Sequence, residues 1–325
     1  MKFGLLTVSY AGLFYSGPAL SIEEQIFKAK EIGFDGISIE AKRPVASPLD
    51  LTVKDRAEIK EIAAGEGIEI CAVESLSNFS SRIMEERENN LAMMRMILKM
   101  AQDLGVKLVK VFAAWPGLID ENEIAEYAPY QRGNHYKRLY TDGLLKWQRA
   151  VEGIREAADL AAEMGITLAL QNHVPVITPG YEDMLAMKNE IDKENVKLCL
   201  DVPLFYERQE DNYVIEAVRA CGNDIVLSHY GAWNFNMDKH GEPIQEPAPS
   251  FGGLINYQTF IRELVKIEYD GYLVSEYCVP ALDHHKPAGM EHVDIANKAA
   301  LKYIKDLFAQ YQKSATLNLG LPMGH

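Results

Sequence analysis

Ile166-Thr-Leu-Ala-Leu-Gln171 and Val196-Lys-Leu-Cys-Leu-Asp201 decide the fold: each is a short apolar run closed by a polar side chain, with a helical pattern over residues 181–191 between them. Runs this short suit strands buried on both faces rather than helices. Strand, helix, strand in that order is the repeating unit of a parallel sheet. The same order continues in Ile225-Val-Leu-Ser-His229 and Gly271-Tyr-Leu-Val-Ser-Glu276, and a helical pattern precedes each.

Working outward, strands are expected over residues 3–9, 36–40, 68–73, 107–112, 166–171, 197–201, 225–229 and 272–276. Helical patterns fill 21–32, 54–64, 85–104, 145–164, 181–191, 213–220, 257–267 and 293–311. Eight alternating pairs predict an α/β fold, a single (β/α)8 TIM barrel over residues 1–313. Residues 314–325 lack a helical pattern and read as a C-terminal tail. Gly33, Gly105 and Gly165 stand where helical patterns stop, and Ser21 with Glu24 spells a capping box at the first helix.

The composition fits. A chain of 325 residues that is 48% hydrophobic and 25% charged can bury a large core. A net charge of −14 repels a phosphate backbone, so no nucleic-acid partner is expected. No apolar stretch is long enough to span a bilayer and the N-terminal run lacks the features of a signal peptide, so no membrane partner and a cytoplasmic location are expected. Cys71, Cys199, Cys221 and Cys278 are scattered without a C-x-x-C pair and read as reduced thiols outside any metal site.

Parallel strands of a barrel all open onto one mouth, so Gln171, Asp201, His229 and Glu276 should converge there. Carboxylate, amide and imidazole donors together make a divalent-metal site, Mn²⁺ for preference with Mg²⁺ or Co²⁺ as substitutes, for chemistry on a small oxygenated molecule. Glu40 and Glu74 close the second and third strands, where they would bind sugar hydroxyls or form rim salt bridges. Two long connections, over 115–142 and 230–253, overhang the mouth and carry Trp115, Tyr136 and Trp233, flat rings suited to a substrate's apolar portion or to a subunit contact. A homo-oligomer is expected, with a small second subunit as a further way to complete the lid. No Gly-rich phosphate loop is present, so no nucleotide cofactor is implied.

Together with the strand order, Leu200-Asp201, Ser228-His229, the Gly252-Gly253 turn, Glu31-Ile-Gly-Phe-Asp-Gly36 and Asp270-Gly271-Tyr-Leu-Val-Ser-Glu276-Tyr277 resemble the xylose-isomerase-like barrels, the sugar isomerase and epimerase superfamily. The resemblance implies that Asp201, His229 and Glu276 bind the metal with the residue at position 171, and that Glu276 also moves a proton. The family usually has Glu where this chain has Gln171. An amide oxygen can still ligate a hard cation, but a neutral amide cannot act as a general base. His173, two residues on, is the candidate second catalytic base, or else a hydrogen-bonding neighbour of the metal ligands.

Gln171 and the aromatic loops together favour one branch of that superfamily, the catalytic subunits of bacterial C-glycoside deglycosidases, which eliminate an aglycone from a 3-keto-glycoside. The alternative is a sugar or sugar-phosphate isomerase or epimerase. Endonuclease IV shares the fold and its Asp-x-His motif is similar to Asp238-Lys-His240, but its His three residues after the strand-six Asp is here Leu204. A metal-free sugar-binding barrel is a third class. His284, His285 and Lys286 follow the last strand as candidates for a hydroxyl or phosphate contact, or as a solvated loop.

Overall fold

The computed structural model describes residues 1–114, 143–173, 177–178, 180–205, 208–248 and 252–319. Eight parallel strands close into one barrel: β1 (Lys2–Leu6), β2 (Gly36–Glu40), β3 (Glu69–Glu74), β4 (Leu108–Val111), β5 (Thr167–Gln171), β6 (Val196–Cys199), β7 (Ile225–Gly231) and β8 (Tyr272–Glu276). Helices α1 (Ile22–Ile32), α2 (Val53–Glu66), α3 (Met84–Leu104), α4 (Gly143–Glu163), α5 (Tyr181–Ile191), α6 (Asp211–Cys221), α7 (Tyr257–Lys266) and α8 (Met290–Leu319) alternate with them. The (β/α)8 expectation is met strand for strand.

Local chemistry sets the boundaries. Ser21 Oγ accepts from Glu24 N while the Glu24 carboxylate accepts from Ser21 N, closing both ends of the capping box. At Gly33 the chain turns at φ 98°, a left-handed conformation that costs a glycine little, and three residues later β2 begins. Outward-facing Leu5, Ile37, Ile39, Val109, Leu168 and Leu198 are fully buried in the shell between barrel and helices.

Of the boundaries that differ from the sequence reading, three are the most informative. The first strand stops at Leu6, and Thr7–Tyr10 coil into a buried 3-10 turn in which the Thr7 hydroxyl takes the backbone N–H of Glu40. The sixth ends at Cys199, two residues short of Asp201, after a register shift against β7 between Leu198 and Cys199. The last helix runs on to Leu319, so residues 314–319 are helical rather than part of an irregular tail: Ala315 and Leu317 are good helix formers, and propensity alone extends a helix already nucleated.

Register fixes what points into the barrel, because residues paired across parallel strands share a face. Glu40 pairs with Glu74, Glu74 with Lys110, and Lys110 with Ala169, which makes one inward rung. Gln171 pairs with Cys199, Val274 with His229, and Glu276 with Gly231. The upper barrel is thus lined by ionisable and amide side chains instead of the branched apolar layers that fill many barrels.

Candidate active site

Gln171, Asp201 and His229 meet inside the barrel, all almost fully buried. Asp201 Oδ2 lies 2.9 Å from His229 Nδ1 and accepts from Gln171 Nε2 at 2.5 Å, while Gln171 Nε2 is 3.3 Å from His229 Nδ1. Asp201 Oδ1 accepts the backbone N–H of His229 at 2.6 Å. Asn172 holds Asp201 from the other side: its Oδ1 accepts from Asp201 N at 2.8 Å and its Nδ2 donates to Asp201 O at 3.2 Å. Asp201 is thereby positioned although no ladder hydrogen bond reaches it.

His229 is clasped at both ring nitrogens. Nε2 lies 2.9 Å from Glu74 Oε1, and Glu74 in turn accepts from Ser38 Oγ at 2.5 Å and faces Lys110 Nζ at 3.3 Å. Burial penalises every charge here, but the opposite charges prevail. Against that burial, His229 and Lys110 hold the Glu74 carboxyl down at about 2. Against burial likewise, Glu74 and Asp201 push the His229 imidazole well above its ordinary range. Asp201 is held below the usual carboxylate range, its burial outweighed by the charge and hydrogen bonds of His229.

Glu276 stands one inward position beyond the rung of His229 and behaves oppositely. Burial raises its pKa, and Glu74 and Asp201 add to that rise against the opposing pull of His229 and a hydrogen bond from Cys278. It is the one acidic member of the constellation biased toward its protonated form, which suits a group that must both take and return a proton near neutrality.

The other expected residues divide. Glu40 is buried at the end of β2 and ion-paired with Lys42 at 3.1 Å. His173 stands two residues beyond Gln171: its backbone N–H donates to Thr178 O, and its ring meets Phe112 edge-on at 5.2 Å between centroids, with Lys110 Nζ 3.8 Å from the centroid of Phe112. Trp233 lies in the 3-10 turn Ala232–Asn234, its indole so close over Gly231 that a Cβ there would meet Nε1 at 2.5 Å. Gly231, which that ring covers, is the register partner of Glu276. Trp115 and Tyr136 fall outside the described residues.

Asp238 and His240 form no ligand set with the cluster. Asp238 Oδ1 accepts from His240 N and Glu242 N, capping the turn of the hairpin that pairs Phe235–Met237 with Pro243–Gln245. His284 and His285 sit at positive φ in the turn between Leu282–Asp283 and Lys286–Pro287, where His284 pairs with Asp283. Cys199 is nearer the cluster than the sequence indicates, its Sγ 3.5 Å from Asp201 Oδ1 and 3.6 Å from His229 Nδ1. With Asp201 and His229 it forms a group whose ligand atoms lie within 4.8 Å of one another. Burial, more than any neighbour, raises the pKa of its thiol.

Sequence reasoning misses Lys110 and the central place of Glu74. A lone lysine inside Leu108-Val-Lys-Val-Phe112 is a usable signal, since lysine is almost never fully buried without a partner.

The chain is thus a closed (β/α)8 barrel that carries a buried polar cluster at the C-terminal ends of its strands. Residues 26–300 match the family model described as xylose isomerase-like TIM barrel, and the chain belongs to that family. A D-psicose 3-epimerase of Ruminiclostridium cellulolyticum is 27% identical over 227 residues, 66% of this chain and 68% of that protein. Among solved structures, D-psicose 3-epimerase with D-tagatose from Clostridium cellulolyticum H10 superposes with TM-score 0.68 at 22% identity, over 95% of this chain and 99% of the other. An L-ribulose 3-epimerase gives 0.71 at 17% over 100% and 99%, and a 3-keto-D-glucoside 4-epimerase from E. coli gives 0.62 at 19% over 96% and 99%. No helix among the described residues is long and apolar enough to cross a membrane.

Proposed function

We propose that this protein is a divalent-metal-dependent sugar isomerase or epimerase that moves a proton at the carbon beside a carbonyl. The observation that carries the reading is the convergence of Gln171, Asp201 and His229 one step below Glu276, an acid biased toward protonation. The similar proteins are epimerases, which favours this alternative over the elimination of an aglycone suggested by Gln171 and the aromatic loops.

The donor set fits a hard cation. Gln171 Oε1 is buried with no hydrogen-bond partner, and a half-turn of the amide exchanges it with Nε2, which already faces Asp201 and His229. The three donor positions, 2.5, 2.9 and 3.3 Å apart, have nearly the spacing of an octahedral face, about 3.0 Å for bonds of about 2.1 Å. Gln171, Asp201 and His229 would hold the ion, with Glu276 completing the set. A divalent ion bound there supplies a Lewis acid that steadies negative charge on the sugar's oxygens.

The chain's own residues do the rest. Glu276 takes the proton from carbon and returns it, and Trp233 over Gly231 walls the mouth and limits water. With Gln171 neutral, Glu276 is the carboxylate among the described strand-end residues assigned as base, and transfer on a single face, as in aldose–ketose isomerisation, needs one base. Inversion of a centre needs a second base, for which His173 is the candidate at the rim.

Incubation with Mn²⁺ in deuterated water, with a panel of free ketoses and 3-keto-glycosides, tests the reading. Deuterium entering recovered sugar next to its carbonyl, together with an isomer or epimer, is the expected outcome. Free aglycone without label exchange would return the protein to the lyases, and activity untouched by a chelator would remove the metal.

A further inference from the structure

We infer that Glu74 is a positioning residue for the metal ligand His229, held in place for that purpose by Ser38 and Lys110; the inference rests on the metal reading above and deepens it. An imidazole can ligate through either nitrogen, and which one is free is decided by the hydrogen bond the other makes. At His229 the choice is built into the barrel. Nε2 faces Glu74 Oε1 at 2.9 Å, so the Nε2 proton has an acceptor there, and Nδ1 is left facing Asp201 Oδ2 and the Gln171 amide.

Glu74 cannot turn away. Ser38 Oγ donates to the same Oε1 at 2.5 Å, Lys110 Nζ lies 3.3 Å from Oε2, and the side chains of Glu74, Lys110 and His229 are at most 4% exposed. Their places follow from register. Lys110 is paired to Glu74 across β3 and β4, and its neighbour on β5 is Ala169, a residue small enough to leave room inside the barrel for a long side chain. Lys110 Nζ also lies over the ring of Phe112, 3.8 Å from its centroid, a second favourable contact for the buried ammonium. A buried carboxylate with one cation and one hydroxyl of its own is costly to build merely for stability, since well-packed apolar residues do as well or better. Its use is to orient what lies beyond it.

The experiment uses the full chain stripped with a chelator. Mn²⁺ affinity is read from the paramagnetic resonance of the free ion for wild type, Glu74→Gln and Ser38→Ala. The side-chain nitrogen spectrum of His229 is read in the Mg²⁺-loaded protein and assigned by its loss in His229→Asn. Glu74→Gln should weaken Mn²⁺ about 10–100-fold, the usual effect of removing a ligand's outer partner, with its circular dichroism unchanged. Ser38→Ala, which keeps the carboxylate but frees it, should weaken binding by a smaller factor and serves if Glu74→Gln does not fold. Loaded wild type should carry its His229 proton on Nε2. Wild-type affinity in both variants, or a proton on Nδ1 in the loaded protein, overturns the inference alone. A wild type that takes up no Mn²⁺ overturns the metal reading and this inference with it.

Discussion

Asp201 holds His229 twice, accepting its backbone N–H at Oδ1 and facing its Nδ1 with Oδ2, at 2.6 and 2.9 Å. One carboxylate thus fixes both the end of β7 and the rotation of the ring. Asp201→Asn keeps the shape but removes the charge that stabilises a buried imidazole, and breaking a buried charge pair costs on the order of 3–5 kcal/mol. The metal-free variant should therefore melt well below wild type by calorimetry. It should also bind Mn²⁺ more weakly by over about 100-fold, because losing even an outer partner costs about 10–100-fold. Unchanged affinity would remove Asp201 from the ligand set.

The proton on His229 makes a second forecast. Its pKa is raised well above the usual value, because Glu74 and Asp201 outweigh the burial that opposes them, so the metal-free protein favours the protonated ring. For the metal-free protein the sign is that of a raised group. The stabilisation is fully present below the unfolded pKa of about 6.5 and is lost as pH rises through the folded value. Ligation needs the Nδ1 lone pair, so metal uptake must expel a proton and affinity must rise with pH. Titration calorimetry at pH 7 in two buffers of different ionisation enthalpy should report release of about one proton per Mn²⁺. Heats independent of buffer would mean that His229 is not a ligand.

Much of the barrel and of this cluster is legible in the amino-acid sequence. Eight strands and eight helices follow from runs such as Ile166–Gln171 because a residue buried on both faces must be apolar and a helix facing a sheet must be striped. Gln171, Asp201 and His229 are legible as a set because all parallel strands end at one mouth. The Glu74–Lys110 clasp is not, since it depends on register across β3 and β4, which comes after a register shift between β2 and β3 at Ile37 and Ser38. A shift by one residue reverses every side chain, and no local pattern announces it. Nor does the sequence say that Asp201, beyond the end of its strand, is secured by Asn172.

Gly231 tests the wall of the mouth. Its φ of −78° suits any residue, and the nearest obstacle to a side chain is the Trp233 indole, which a Cβ would meet at 2.5 Å. Gly231→Ala should displace the ring and leave the fold intact, raising KM several-fold while Mn²⁺ affinity stays within about twofold; a packed aromatic contact is worth about 0.5–1.5 kcal/mol. If Trp233→Ala and Gly231→Ala both leave KM at the wild-type value, the indole does not touch substrate.

Gln171→Glu asks what the neutral amide does. In the metal-free protein it brings a second carboxylate against Asp201 at the 2.5 Å now spanned by a hydrogen bond, so like charges meet in a buried site and melting temperature should fall. With Mn²⁺ the added charge becomes a ligand, and the gap in melting temperature between metal-loaded and metal-free forms should widen relative to wild type. The new carboxylate also stands where a second base would act. Deuterium exchange into free ketoses should then speed up and epimer should accumulate beside isomer. Should exchange stay at the wild-type rate while metal binding tightens, position 171 serves the ion alone, and the second base, if the reaction has one, must come from elsewhere on the rim.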